Sequence, residues 1–219
     1  MLGQGRVRGL LQAARPAAQA KSLSATERDE TARARWRTDM AQTDPSQVVF
    51  VDECGTHTSM TRRRARAPHG MRARGVVPRN RGPVTTLITG LSLAGMAPAM
   101  TVEGGTTAAV FAADLEQVLL PALRPGQVVV VDNVGAHKPE RIRALIAAAG
   151  CRLLFLPAYS PDLSTVEEAF SKIKALVKAA GARTRAALDA AIAVALAAVT
   201  ASDAAGWFAH AGYPTPPAA

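Results

Sequence analysis

Three apolar runs of strand length punctuate the chain: Val-Val-Phe-Val at 48–51, four valines at 128–131, and Leu-Leu-Phe-Leu at 153–156. Runs apolar at every position bury both faces, as the central strands of a helix-flanked sheet do. Extended segments are therefore expected at 47–52, 84–93, 98–103, 127–132 and 152–156. A turn at Ala94-Gly95 would make the second and third a hairpin. Elsewhere the period becomes helical. In 106–120 Val110, Phe111, Leu115, Val118 and Leu119 share a face, and Pro121 stops the helix. A second helix is expected over 139–149, ended by Gly150. A third, over 164–180, aligns Val166, Ala169, Phe170, Ile173, Leu176 and Val177, with Ser164 or Thr165 as N-cap. A fourth covers 184–199, and short helices fit within 26–40. Trp207, Phe208 and Tyr213 are expected to pack the C-terminal helix.

Two of the apolar runs end in an acid, Asp52 and Asp132, and a third acid, Glu167, falls in the first turn of the helix after the fifth strand. A carboxylate at the end of a buried strand is costly to desolvate unless a cation compensates it. Two strand-end acids and a helical one can hold Mg²⁺ or Mn²⁺ for phosphoryl transfer, with two ions clamping the attacking and leaving oxygens. Asp52 would bridge both ions, Asp132 hold one and Glu167 the other. Each acid alone could be a turn or capping residue. Glu53 and Glu168 are the neighbours most easily mistaken for ligands, although Asp52 and Glu53 must face opposite sides of a strand. The order β, β, β, α, β, α, β, α with acids at these points is the ribonuclease H-like pattern. It predicts an α/β fold, a mixed five-stranded sheet flanked by helices.

Charge adds a partner. The chain of 219 residues carries a formal net charge of +9. Eight arginines (62, 63, 64, 66, 72, 74, 79 and 81) fall between Thr61 and Arg81 with no acid among them. Pro68, Pro78, Gly70, Gly75 and Gly82 exclude a single helix there. A flexible basic ribbon after the first acid-bearing strand suits phosphate contacts on double-stranded DNA, through Arg62, Arg63, Arg64, Arg66, Arg72 and Arg74. A solvated face and an arginine-favouring codon bias are the plainer explanations. His137 and Lys138, just beyond Asp132, are candidates to touch the scissile phosphate or to cap the next helix. His57 and His69 lie in basic, loop-like surroundings, facing solvent or DNA.

Cys54 and Cys151 lack any paired spacing for zinc or disulfides and read as buried small residues in a reducing cytoplasm. The most apolar long stretch, 186–201, is alanine-dominated and interrupted by Asp189, so no membrane partner is expected. The arginine and alanine bias suggests a GC-rich bacterial genome, and residues 1–26 lack the apolar segment of a secretory signal.

These motifs resemble one family. Val-Phe-Val-Asp52-Glu-Cys-Gly, Val-Val-Asp132-Asn133-Val-Gly-Ala-His137-Lys138 and Leu-Pro-Ala-Tyr159-Ser160-Pro161-Asp162-Leu163-Ser-Thr-Val-Glu167-Glu168 are similar to the DDE transposases of bacterial insertion sequences in the mariner superfamily, the insertion-sequence six-thirty group. The resemblance runs from about 45 to 213, and the 34 residues between Asp132 and Glu167 match the family's spacing. It implies Asp52, Asp132 and Glu167 as a catalytic triad, Mg²⁺-dependent cleavage at transposon ends, and attack of the freed 3′-hydroxyl on target DNA. It also implies a bacterial, nucleoid-associated protein acting as a homodimer. Where the family has Asn-Pro, this chain has Ser164-Thr165.

The resemblance divides the chain into a partial N-terminal or linker segment at 1–45, a catalytic domain at 46–213 and a tail at 214–219. Residues 1–45 are too short and irregular for the helix-turn-helix that reads transposon ends. That domain is expected from a separate upstream frame, unless the chain is a catalytically silent remnant that only binds DNA. A junction resolvase is a third reading, disfavoured by the 159–163 motif.

Overall fold

The computed structural model describes residues 25–133 and 140–215. Five strands form one sheet in the order β3-β2-β1-β4-β5. They are β1 (Val48–Thr56), β2 (Thr85–Ser92), β3 (Gly95–Glu103), β4 (Val128–Val131) and β5 (Arg152–Phe155). β2 runs antiparallel to both of its neighbours, β1 and β3, whereas β1, β4 and β5 are parallel. The sheet is mixed and flanked by helices, as the apolar runs predict.

Side-chain alternation divides the core in two. Val48, Phe50, Val128 and Val130 face one layer, where they join Phe170 and Ile173 of α4 (Val166–Ala180), Ile192 of α5 (Arg185–Ala197) and Phe208 of α6 (Ala201–His210). Val49, Val51, Val129 and Val131 face the other, with Phe111 of α2 (Ala108–Asp114) and Ile142 and Ile146 of α3 (Glu140–Ala148). α1 (Glu30–Ala41) starts at an Asp29 cap whose side chain accepts from the amides of Thr31 and Ala32, and it adds Trp36 and Met40 to the first layer. The segment placed ahead of the catalytic domain thus shares that domain's core. Phe50, Phe208 and Tyr213 stack edge-on or tilted, with ring centroids 5.2–6.0 Å apart. Both cysteines are free and buried, as expected.

The structure corrects several boundaries. β1 continues past Asp52 to Thr56, because β2 supplies antiparallel partners there although the apolar run has ended. The turn between β2 and β3 uses Leu93 and Ala94, and Gly95 opens β3 at φ +113°, a left-handed value that favours glycine. The helix expected over 106–120 is regular only to Asp114 and continues as a π turn, Leu115–Leu119, and a 3₁₀ turn at Pro121. The single helix expected at 184–199 is followed by a separate one, α6, bent 75° from α5. Its Thr200–Asp203 capping box restarts the backbone. Among the described residues no single helix is long and apolar enough to cross a membrane.

Candidate active site

The position of the acids follows from strand register. β1 and β4 pair at Val48–Val128, Val49–Val129 and Phe50–Val130, an offset of 80 residues. Two residues further along each chain stand Asp52 and Asp132, on the face that carries Phe50 and Val130. That face is covered by α4, whose first turn holds Glu167. Glu53 follows Val49 and Val51 to the opposite face, opposite Ile88 of β2.

Asp52, Asp132 and Glu167 line one cavity of about 370 Å³, together with Asn133, Ser160, Ser164 and an apolar wall of Leu156, Pro157, Ala158, Tyr159 and Pro161. No Lys, Arg or His stands among these described lining residues. The result is a strongly anionic cleft. Asp52 is pushed up to about 7, first by burial and then by the negative charges of Asp132, Glu53 and Glu167, against the pull of the Glu53 amide. That amide donates to Asp52 Oδ1 at 2.7 Å.

Glu168 points elsewhere. One helical step turns it toward α6, where its Oε1 lies 2.6 Å from Nδ1 of His210. Glu167, not Glu168, is the α4 acid in the cavity.

This donor set fits a hard divalent cation. Carboxylate oxygens are the ligands Mg²⁺ and Mn²⁺ prefer, and positive charge would offset both the burial and the repulsion that raise Asp52. No three Asp, Glu, His or Cys side chains among the described residues converge on one point. Cations held here would draw on water and phosphate oxygens besides the carboxylates of Asp52, Asp132 and Glu167.

The remaining candidates scatter. Arg62, Arg63, Arg64, Arg66, Arg72 and Arg74 lie on a segment without regular structure, every residue of which is exposed from 62 to 83. The segment folds back so that Arg62, Arg63 and Arg64 border one shallow depression with Arg74, Val76 and Val77. Its root is tied by Arg183, which donates to the carbonyls of Thr58 at 2.9 Å and Met60 at 3.0 Å, a role the sequence did not signal. His57 is half-buried and its Nδ1 lies 2.8 Å from Ser59 Oγ; His69 is exposed. His137 and Lys138 lie outside the described residues. Phe208 and Tyr213 are core residues and Trp207 packs against them, as expected.

Sheet order and helix placement give the ribonuclease H-like fold, and solved structures share it. The Mos1 transposase paired-end complex with left transposon end matches at TM-score 0.67 and 18% identity, over 86% of this chain and 61% of that one. The Mos1 strand transfer complex matches at 0.65 and 18%, over 90% and 62%. The catalytic domain of Mos1 mariner transposase matches at 0.58 and 14%, over 83% of each chain. The chain thus spans less than two thirds of the longer Mos1 chains. No curated protein matches the sequence significantly. Residues 47–189 match the DDE superfamily endonucleases, and the chain belongs to that family.

Proposed function

We propose that this chain is the catalytic domain of a bacterial insertion-sequence transposase of the mariner superfamily, in the insertion-sequence six-thirty group. It cleaves DNA at transposon ends and joins the freed 3′-hydroxyl to target DNA. The observation that carries this reading is the convergence of Asp52, Asp132 and Glu167 on one cleft. Two strands and one helix deliver them there, from positions 115 residues apart at the extremes.

Asp52, Asp132 and Glu167 would hold the divalent cations between them, all three carboxylates opening on the same cleft. When bound, Mg²⁺ or Mn²⁺ activates the attacking oxygen and stabilises the leaving oxygen. The exposed edge of Glu167 keeps the cleft open to a DNA strand. Leu156, Pro157, Ala158 and Pro161 add apolar lining to the same cleft. Arg62–Arg64 and Arg74 supply phosphate contacts outside the cleft, where positive charge does not compete with the cations. Mos1 structures with Mn and with Mg support the choice of cation, and Mos1 complexes with transposon ends support DNA as partner. We read the protein as a homodimer, with the transposon ends recognised by a helix-turn-helix domain.

The test is nicking of supercoiled plasmid in Mn²⁺ by the chain and by its Asp132→Asn variant. Nicking by the first and not the second is expected. A folded protein that binds DNA but nicks in neither form would instead be a silent remnant.

A further inference from the structure

The first turn of α4 lacks the local cap that such a helix normally has. Thr165, at the cap position, has helical backbone angles, and neither it nor Ser164 gives α4 a side-chain cap. Thr165 Oγ1 is buried and has no hydrogen-bond partner among the described residues. The backbone leading into the helix is also unfavourable: Tyr159, which is not a glycine, sits at φ +54°. The segment's own backbone ties are those of one tight turn, the Leu163 amide to the Ser160 carbonyl at 3.0 Å and the Ser164 amide to the Pro161 carbonyl at 2.9 Å, and it delivers Glu167 to the acidic cleft. Contacts from far along the chain add to them.

Two long-range ties do so. The guanidinium of Arg33 on α1, entirely buried, forks onto Asp162: Nη1 donates to Oδ1 at 3.0 Å and Nη2 to Oδ2 at 2.6 Å. A bidentate Arg–carboxylate pair fixes orientation as well as distance. One residue on, the Leu163 carbonyl accepts from the Tyr213 hydroxyl at 2.5 Å, and that hydroxyl accepts from Trp36 Nε1 at 3.0 Å. Both ties reach back to α1, one turn apart on the same helix. Asp162 and Leu163 belong to the short turn Pro161–Leu163, and Glu167 follows four residues later.

We propose that Arg33 and Asp162 form a positioning pair that sets Glu167 for cation binding, so that α1 governs the geometry of a cleft it does not line. The inference rests on the reading of Asp52, Asp132 and Glu167 as cation ligands. Arg33 touches no reacting atom; it acts through the 160–163 turn. The burial of its charge makes the fork hard to replace, since lysine keeps the charge but offers one point of attachment.

The experiment measures Mn²⁺ binding to the full chain by electron paramagnetic resonance, alongside plasmid nicking and thermal unfolding. The proteins compared are wild type, Arg33→Lys, Asp162→Asn and Ile192→Ala, the last a core truncation in α5 outside the Arg33–Asp162 pair. Arg33→Lys and Asp162→Asn are expected to weaken Mn²⁺ binding about tenfold, as loss of an outer positioning contact does, and to nick at near wild-type rates when Mn²⁺ is raised to compensate. Ile192→Ala should lower Tm and leave Mn²⁺ affinity unchanged. If the two pair variants lose Tm but bind Mn²⁺ as wild type does, the pair is merely structural and the proposal fails. Wild-type protein that neither binds Mn²⁺ nor nicks would overturn the cation-site reading itself, and the proposal with it.

Discussion

Asp52 and Asp114 are both carboxyls pushed upward by burial, one to about 7 and the other to about 6, yet only one belongs to a site. Asp114 closes α2 against the second core layer, is 1% exposed, and its Oδ1 has no hydrogen-bond partner among the described residues. Burial alone raises it. Asp52 also feels three other carboxylates, two of which share a water-accessible cavity with it. A lone buried acid is a cost of packing; several acids brought together around an open space make a candidate site for a cation.

The sharpest way to break this contrast is to neutralise the acids in turn. Asp52→Asn, Asp132→Asn and Glu167→Gln should each reduce Mn²⁺-dependent nicking to background without lowering Tm. Added Mn²⁺ should raise the Tm of wild type and not of the variants, since only a folded site that binds the ion gains stability from it. A variant that keeps wild-type nicking removes that residue from the ligand set.

Next in size is the ribbon. Replacing Arg62, Arg63 and Arg64 with alanine should weaken DNA binding and reduce the slope of log affinity against log salt by roughly two to three, about one unit per lost phosphate contact. An unchanged slope would return these arginines to the solvated surface.

Asp114→Asn tests the other member of the pair. The unfolded carboxyl titrates at 3.8 and the folded one at about 6, so ionisation is disfavoured in the folded chain. Wild-type stability is therefore fullest below pH 3.8 as far as this group is concerned, falls as pH rises toward 6, and stays lower above it. The variant should flatten that interval and raise Tm at pH 8 by roughly 2–4 °C, the response of a chain this size to about 1 kcal/mol. Nicking should not change. The smallest effect is expected for Glu168→Gln, which breaks only the exposed pair with His210 and should leave nicking within about twofold of wild type. A loss as large as that of Glu167→Gln would mean both neighbours serve the cleft.

Much of this was legible from local pattern. Consecutive valines at 128–131 can only be a strand buried on both faces, and the spacing of Phe170, Ile173 and Val177 permits only a helix covering one of those faces. Alternation alone excluded Glu53. It could not choose between Glu167 and Glu168, because both fall in the first turn and the choice depends on how α4 rolls against the sheet. The cap expected at Ser164 or Thr165 is absent among the described residues, and bonds from distant Arg33 and Tyr213 reach the preceding turn, which no local pattern signals. The length of β1 was hidden for a similar reason: past Asp52 the strand is kept by β2, not by its own hydrophobicity.

Local pattern was enough for the five strands and most of the helices in their order, for Asp52 and Asp132 as candidate acids, for Glu167 as the third with Glu168 its open alternative, and for the basic ribbon, since periodicity and side-chain chemistry are local properties. Only the tertiary structure decided that β1 and β4 lie side by side at an offset of 80 residues, bringing Asp52 level with Asp132. It alone turned Glu167 inward and Glu168 toward α6, and it alone joined Arg33 to Asp162 across 129 residues. Such pairings are fixed by the mutual packing of faces that are far apart along the chain, and no local period encodes which distant face will be met.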